Sequence, residues 1–452
     1  MNRSNLVCRT RLNRITWLRQ DAVSCARIVM EAIATLANGL WSAANQLAAW
    51  RFCRALRRPG AAQERQLQAY LDANASTAFG REYRFAAIRT YQDFVRRVPL
   101  ADYSAMAPWL NRVRCGERRV LTREPVIRLL PTSGSSGPGK LIPFTATSQR
   151  EADAALGPWL LDLQRRTPGL LGGPTYWSAT PPLHRRQVEA STVPIGSGAD
   201  MAFWAGARWR LADGLKAVDA PAQQVCSLEE FQYGTLLHLL RHRELRLISV
   251  WHPSFFIRLL ETLPALWEKL LETVGRGSSG AAPLPQRAAQ LRALAPTDAA
   301  GIWPQLRVLS CWADGAAAPG ADELRRRFPH AVLQPKGLLA TEAFVTVPFQ
   351  GRYPLAVQSH FFEFINRTGE ILPLSGLQLG EEYELVVTTG GGLWRYRLGD
   401  RVRVTDWLER TPCCQFLGRA EQDGNESQNN LREELCRHRY STFTTTRPWA
   451  RA

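Results

Sequence analysis

The pattern of apolar and polar positions divides the chain into stretches of different period. Residues from about 15 to 57 read as one or two helices, closed by Arg57-Arg58-Pro59-Gly60. A further helix is expected over about 61–74, with Leu67, Tyr70 and Leu71 on its apolar side. The texture changes at Val126-Ile127-Arg128-Leu129-Leu130, a short apolar run with β-branched residues that predicts a strand. Similar runs recur at Thr175–Ser178, Leu245–Val250, Leu306–Ser310 and Ala331–Leu333. Helical patterns at 147–165, 228–242, 254–274 and 320–328 fall between them. Such alternation predicts an α/β unit with a largely parallel sheet. After about 342 the chain reads as β-rich, with runs at 343–348, 356–365, 382–388, 394–397 and 401–407. The stretch from Gly275 to Pro296 is rich in Gly, Ser, Ala and Pro and reads as a surface excursion or linker. There is no internal repeat.

Composition narrows the functional classes. At 452 residues the chain is long enough for several packed units, and 45% hydrophobic with 21% charged residues describes a globular protein. A net charge of +17 raises nucleic-acid binding as a reading to be weighed. The 57 basic residues include only four lysines, however (Lys140, Lys216, Lys269 and Lys336), and the arginines are spread along the chain. Even the densest spot, Arg325-Arg326-Arg327, lies in a segment that also carries acids. That distribution favours a solvated surface over a nucleic-acid footprint. The nine cysteines are irregularly spaced without a C-x-x-C pair, and seven histidines form no H-E-x-x-H. Zinc sites are therefore disfavoured, and a reducing cytoplasm is the expected compartment. No secretory signal is evident, and the apolar stretch Ile28–Trp50 is broken by Asn38, Ser42, Asn45 and Gln46, which favours a buried helix over a membrane span.

The chemistry concentrates after the strand at 126–130. Thr132-Ser133-Gly134-Ser135-Ser136-Gly137-Pro138-Gly139-Lys140 combines glycines, four hydroxyls and a lysine. Glycines let successive N–H groups approach a polyphosphate, the hydroxyls add donors, and the lysine adds a point charge. Gly134, Gly139 and Lys140 also fit G-x-x-x-x-G-K, but a P-loop needs Ser or Thr next, and position 141 is leucine. The loop instead fits T-S-G-S/T-S/T-G-x-x-K, the phosphate loop of adenylate-forming enzymes.

Three blocks in order carry a more specific resemblance. Thr132–Thr145, Gly337-Leu338-Leu339-Ala340-Thr341-Glu342 and Tyr396-Arg397-Leu398-Gly399-Asp400, followed by Gly418-Arg419, resemble the adenylation motifs of the Gretchen Hagen 3 family. These are auxin-responsive-promoter-type acyl-acid amido synthetases of the acyl-adenylate-forming superfamily. Trp177-Ser178, Val193-Pro194-Ile195-Gly196 and Trp251-His252-Pro253-Ser254 resemble family blocks between them, and the resemblance runs from about residue 37 to 422.

The resemblance implies a large multi-subdomain adenylation domain with mostly parallel sheets flanked by helices, spanning 1–422. It implies ATP and Mg²⁺ as cofactors, with a small carboxylic acid as substrate and an amino acid as acceptor. Thr132, Ser133, Gly134, Ser135, Ser136, Gly137 and Lys140 would hold the β- and γ-phosphates. Leu338, with Leu339, would border the adenine and Thr341 would contact the α-phosphate. Glu342 would help to hold Mg²⁺, Asp400 would bind the ribose hydroxyls, and Arg419 would lie near ribose or phosphate. Lys140 and Glu342 are the expected catalytic groups. Tyr176 and Trp177, with Phe203 and Trp204, are candidates for the acyl pocket, although 15 tryptophans make aromatic core the default. His252 is expected to be structural. Superfamily members continue into a small C-terminal domain bearing a catalytic lysine. Here 423–452 departs from the pattern and no lysine follows Lys336. The expectation is a divergent tail in a truncated chain, with amide transfer in doubt. The rival readings are an impaired nucleotide- or acyl-binding protein and an acyl-CoA ligase-like enzyme.

Overall fold

The computed structural model describes residues 45–132, 140–178, 191–196, 227–278 and 281–420, with a few positions between 35 and 43. The tail at 423–452, residues 133–139 of the loop expected to hold phosphates, and Phe203 and Trp204 lie outside the described residues.

An N-terminal helical layer comes first. Residues 45–57 are helical, followed by α1 (Pro59–Asn74), α2 (Tyr91–Arg97) and α3 (Tyr103–Arg114). Proline at the first position of α1 suits a turn whose N–H groups have no helical partner. Leu67, Tyr70, Leu71 and Asn74 then recur at helical spacing on its buried side. Thr90 and Asp93 close a capping box at the start of α2. A short antiparallel hairpin follows, β1 (Arg128–Pro131) with β2 (Leu141–Phe144), and leads into α4 (Ala146–Arg166).

The parallel sheet is built from β3 (Thr175–Trp177), β4 (Leu247–Ser249), β5 (Val308–Cys311) and β6 (Val332–Pro335), side by side in that order. Between these strands run α5 (Leu228–Arg241), α6 (Pro253–Arg276), α7 (Pro285–Arg292) and α8 (Ala318–Arg327). Helix α6 buries Phe256, Leu259, Leu263, Trp267, Leu270, Leu271 and Val274 along one face. His252 caps its N-terminus, its Nδ1 accepting the Ser254 N–H at 3.3 Å. One strand can serve two cores because successive side chains alternate across a sheet. Tyr176 packs into the core between the sheet and α5–α8, while Trp177 joins the larger core on the other face.

The β-rich part is a five-stranded antiparallel sheet in the order β11 (Thr411–Arg419), β10 (Tyr396–Leu408), β9 (Glu382–Thr388), β7 (Phe361–Ile365) and β8 (Ile371–Pro373). The runs expected at 394–397 and 401–407 are one continuous strand, bent by register shifts between Arg397 and Arg401 and at two later points. The run at 343–348 forms isolated bridges, Leu339 with Phe344 and Thr346 with Leu355, in place of a strand. The linker expected at 275–296 also needs correction, because α7 lies inside it. Ala288 and Leu291 are buried, and the buried Arg287 donates to Leu240 O at 2.8 Å and Ile302 O at 2.7 Å. Composition alone reads such small residues as loop, whereas here they let α7 lie closely against α6.

The arginine triplet at 325–327 occupies the last turn of α8, where basic groups complement the carbonyl end of a helix. Arg325 pairs with Asp322, and Arg327 with Glu323 at 2.5 Å. Among the described residues no helix is long and apolar enough to cross a membrane.

Candidate active site

The described motif residues come together around the end of β2 and the bend of β10. Thr132 N–H donates to Lys140 O at 2.9 Å, so the two residues flanking 133–139 are tied across the hairpin. Lys140 Nζ stands 3.5 Å from Tyr396 Oη and 5.9 Å from the centre of the Tyr103 ring. Tyr103 Oη also accepts the Leu141 N–H at 3.0 Å, which fixes α3 against the hairpin.

The second motif is a tight reversal. Gly337 has φ +72, and a β-carbon there would lie 2.6 Å from Thr346 Oγ1. That space is needed because Leu338 N–H donates to the same Oγ1 at 2.8 Å. Ala340 N–H donates to Ala343 O at 3.0 Å and Val345 N–H to Leu338 O at 3.0 Å, so Thr341 and Glu342 form the tip. Leu338 is buried in the main core and Glu342 is 8% exposed.

The third motif sits on the irregular part of β10. Leu398 to Asp400 fall in the gap in pairing with β9, and such bulges re-aim side chains. Asp400 is 4% exposed and faces Arg419 on β11, with Nε to Oδ1 3.5 Å. Burial pushes the Asp400 carboxyl up to about 7; Arg419 and Lys140 oppose this and Glu342 reinforces it. Burial likewise raises Glu342, against the pull of Arg419 and Lys140. Lys140, Glu342, Asp400 and Arg419, spread over 280 positions of sequence, thus act on one another electrostatically. Two buried carboxyls beside two cations, of which Arg419 is half exposed, suit a ligand carrying both hydroxyls and phosphates.

Tyr176 does not join this group, since it points into the second core. Trp177, 8% exposed, lies on the opposite face of β3, beside Lys336. Sequence reasoning missed Tyr396 and Tyr103 as neighbours of Lys140. Tyr396 begins a recognised motif, which was the available signal. Tyr103 had none beyond Asp102, the N-cap of α3. It also missed a buried network behind the second motif. Glu151 accepts from Tyr70 Oη and from Gly390 N–H at 2.6 Å, and lies 3.5 Å from His360 Nδ1. His360 Nε2 accepts the Phe344 N–H at 3.0 Å. His360 and Glu151 line a small cavity together with Thr341 and Glu342, so the network braces the tip from within.

The raised Asp400 carboxyl predicts a pH effect on the ligand-free protein. Its native pKa lies above the unfolded value, so the native state holds the proton longer and stability falls as pH rises from about 4 through 7. Asp400→Asn is expected to lose that component and to melt above the wild type at pH 8, the difference shrinking towards pH 4. Thermal melts of both proteins across that range check it; parallel curves would refute it.

Family models match two long segments. The GH3 family N-terminal domain matches residues 49–333 and the GH3 family central domain matches residues 353–419. The chain belongs to the GH3 family. Indole-3-acetic acid-amido synthetase GH3.4 of Arabidopsis thaliana is 23% identical over 407 residues, covering 80% of this chain and 67% of the relative. Jasmonoyl–L-amino acid synthetase JAR4 of Nicotiana attenuata is 23% identical, covering 80% and 69%. Among solved structures, the GH3.15 acyl acid amido synthetase superposes with a TM-score of 0.72 at 22% identity, covering 83% of this chain and 71% of that one. The fold is therefore the mixed α/β fold of the GH3.15 acyl acid amido synthetase, with a parallel sheet followed by a β-rich region.

Proposed function

We propose that this GH3 family member activates a small carboxylic acid as its adenylate at the expense of ATP, and that an amine, in particular that of an amino acid, takes the acyl group. The observation carrying the proposal is the convergence of the buried carboxyls of Glu342 and Asp400 with the cations of Lys140 and Arg419, beside the ends of the loop at 133–139. The names of its relatives, synthetases that join indole-3-acetic acid or jasmonate to amines, support it.

In the first step a carboxylate oxygen attacks the α-phosphorus, and the bond to the bridging oxygen of pyrophosphate breaks. No enzyme nucleophile is needed; alignment and charge neutralisation carry the step. Lys140 neutralises the outgoing phosphates and Thr341 orients the α-phosphate. Asp400 accepts from the ribose hydroxyls, for which its ionised form is the competent one, and Arg419 holds it there. Mg²⁺ fits the donor set, because such ions bind through one or two carboxylates plus substrate phosphates. Glu342 is the carboxylate that would hold it, and bound Mg²⁺ would supply further neutralisation of phosphate charge. In the second step an amine nitrogen attacks the acyl carbon and AMP leaves. The cytoplasm is the compartment we infer.

Pyrophosphate exchange into ATP, measured with a panel of carboxylic acids, tests the reading. Exchange with at least one acid is expected. Folded protein that binds no ATP by calorimetry would overturn it, and ATP binding without exchange would favour a nucleotide-binding role. Product analysis with coenzyme A against amino acids separates thioester from amide formation.

A further inference from the structure

The reversal that carries Thr341 and Glu342 is tied to the rest of the fold through a histidine. Two of its N–H groups are met within it, Ala340 donating to Ala343 O and Val345 to Leu338 O, both at 3.0 Å. The Phe344 N–H instead crosses to Nε2 of His360, the residue before β7, at 3.0 Å. The two rings also stack, with centroids 6.4 Å apart and planes 12° from parallel. His360 is 3% exposed, so bulk water does not compete for the Phe344 N–H.

An imidazole nitrogen accepts a hydrogen bond only while it carries no proton. The Phe344 contact therefore places the ring hydrogen on Nδ1. That nitrogen faces Glu151 Oε2 at 3.5 Å. Glu151 is buried on α4 and is itself held: its Oε1 accepts from Tyr70 Oη of α1 and from the Gly390 N–H. Gly390 makes that approach possible, since a β-carbon there would lie 2.1 Å from Thr147 Cγ2 and 2.8 Å from Glu151 Oε1. Helices α1 and α4, the turn after β9 and the start of β7 thus meet at one carboxylate. That carboxylate favours the tautomer able to hold Phe344. His360 and Glu151 share the lining of a cavity of about 20 Å³ with Thr341 and Glu342, so the pair stands behind the tip.

We propose that His360 is a positioning residue of the adenylation site: in its Nδ1–H form, set by Glu151, it fixes the tip so that Glu342 can hold a divalent cation against the phosphates of ATP. This rests on the reading of the chain as an acid-adenylating enzyme, and adds the group that makes its second motif competent. His360 touches neither nucleotide nor metal; it acts through the Phe344 N–H. Alignment carries such a step, and a displacement of about 1 Å costs on the order of 10²-fold.

The test uses the full chain, with ATP as the probe. Ring ¹⁵N spectra of the wild type should show the His360 hydrogen on Nδ1; a hydrogen on Nε2 would overturn the proposal with no variant needed. His360→Leu keeps an apolar side chain in place but accepts nothing. It should speed hydrogen exchange at the Phe344 amide by about 10–100-fold, the effect of orphaning one buried donor. Calorimetry should then show that added Mg²⁺ no longer tightens ATP binding. Affinity for ATP in EDTA should stay within about twofold of the wild type, because Lys140, Asp400 and Arg419 are unchanged. His360→Gln puts an amide oxygen near the place of Nε2 and should restore both readouts. His360→Asn reaches only the place of Nδ1 and should restore neither. A Leu variant with wild-type Phe344 exchange or wild-type Mg²⁺ response, or an Asn variant that rescues as well as Gln, sinks the proposal. So does wild-type ATP binding that Mg²⁺ does not tighten. Should His360→Leu fail to fold, the Gln and Asn variants give the same comparison. Wild-type protein that binds no ATP would instead remove the adenylation reading, and exchange at Phe344 would still decide whether His360 sets the tip.

Discussion

Glu342→Gln is expected to reduce pyrophosphate exchange by on the order of 10²–10³-fold while leaving the protein folded. Glu342 stands at the tip of the reversal between Leu338 and Val345, with no side-chain partner that the fold needs among the described residues. Its carboxyl is raised because burial disfavours its charge, so the folded protein gains nothing from ionising it. The neutral amide keeps the shape, removes the desolvation cost, and should hold or raise the melting temperature at pH 8. It cannot serve as an anionic ligand for Mg²⁺, nor can it balance Lys140 and Arg419. Loss of exchange without loss of stability marks a residue kept for chemistry. A variant that exchanges pyrophosphate within tenfold of the wild type would remove Glu342 from that role; one that unfolds would make it structural.

The second and third motifs were legible in the sequence because each is a local signature. The Thr341-Glu342 tip and the Asp400 bend each depend on backbone shape within a few residues, and Gly337 and Gly399 mark them. The strands β4 and β5 were legible for a related reason, since strands buried on both faces read as short apolar runs. The helix α7 was not, because its burial depends on α6 and on two carbonyls from elsewhere in the chain accepting from Arg287. Strand β11 went unread: Thr411-Pro412-Cys413-Cys414 has a proline and no clear alternation, and it becomes a strand by pairing with β10. The setting of Lys336 was equally invisible. Its neighbours Trp159, Trp177, Ser249, Trp251 and Ser310 lie up to 177 positions from it in sequence, and the parallel order of the strands with the helix packed on them brings them together. Local chemistry was readable, whereas burial and partnership were set by topology.

Glu363→Ala is expected to cost about 3–5 kcal/mol of stability, the usual penalty for removing one member of a buried ion pair. Arg395 is 2% exposed and its partner Glu363 1%. Arg395 Nε donates to Glu363 Oε1 at 3.1 Å and Oε2 at 3.0 Å, and Nη2 to Oε1 at 2.8 Å. Its Nη1 donates to Val98 O at 2.8 Å and Val95 O at 3.2 Å, and Tyr91 Oη donates to Glu363 Oε1 at 3.0 Å. The pair thus holds α2 and the segment after it onto β7, directly beneath Tyr396. Deleting the carboxylate leaves a buried guanidinium whose Nε–H and Nη2–H have lost their acceptor, and a tyrosine hydroxyl that has lost its own, which is worse than having no charges at all. Glu363→Leu combined with Arg395→Met should therefore recover much of the loss, and the double-mutant cycle would show strong coupling. The local consequence reaches the site, since Arg395 precedes Tyr396 and Ala101 N–H donates to Arg395 O at 3.0 Å. Exchange activity in the single variant should fall at temperatures well below its melting point, as the Tyr396–Lys140 contact loosens. Chemical denaturation of the wild type, Glu363→Leu, Arg395→Met and their double variant, with Glu363→Ala measured beside them, decides the matter; additive effects of the two replacements would mean that the pair contributes nothing as a pair.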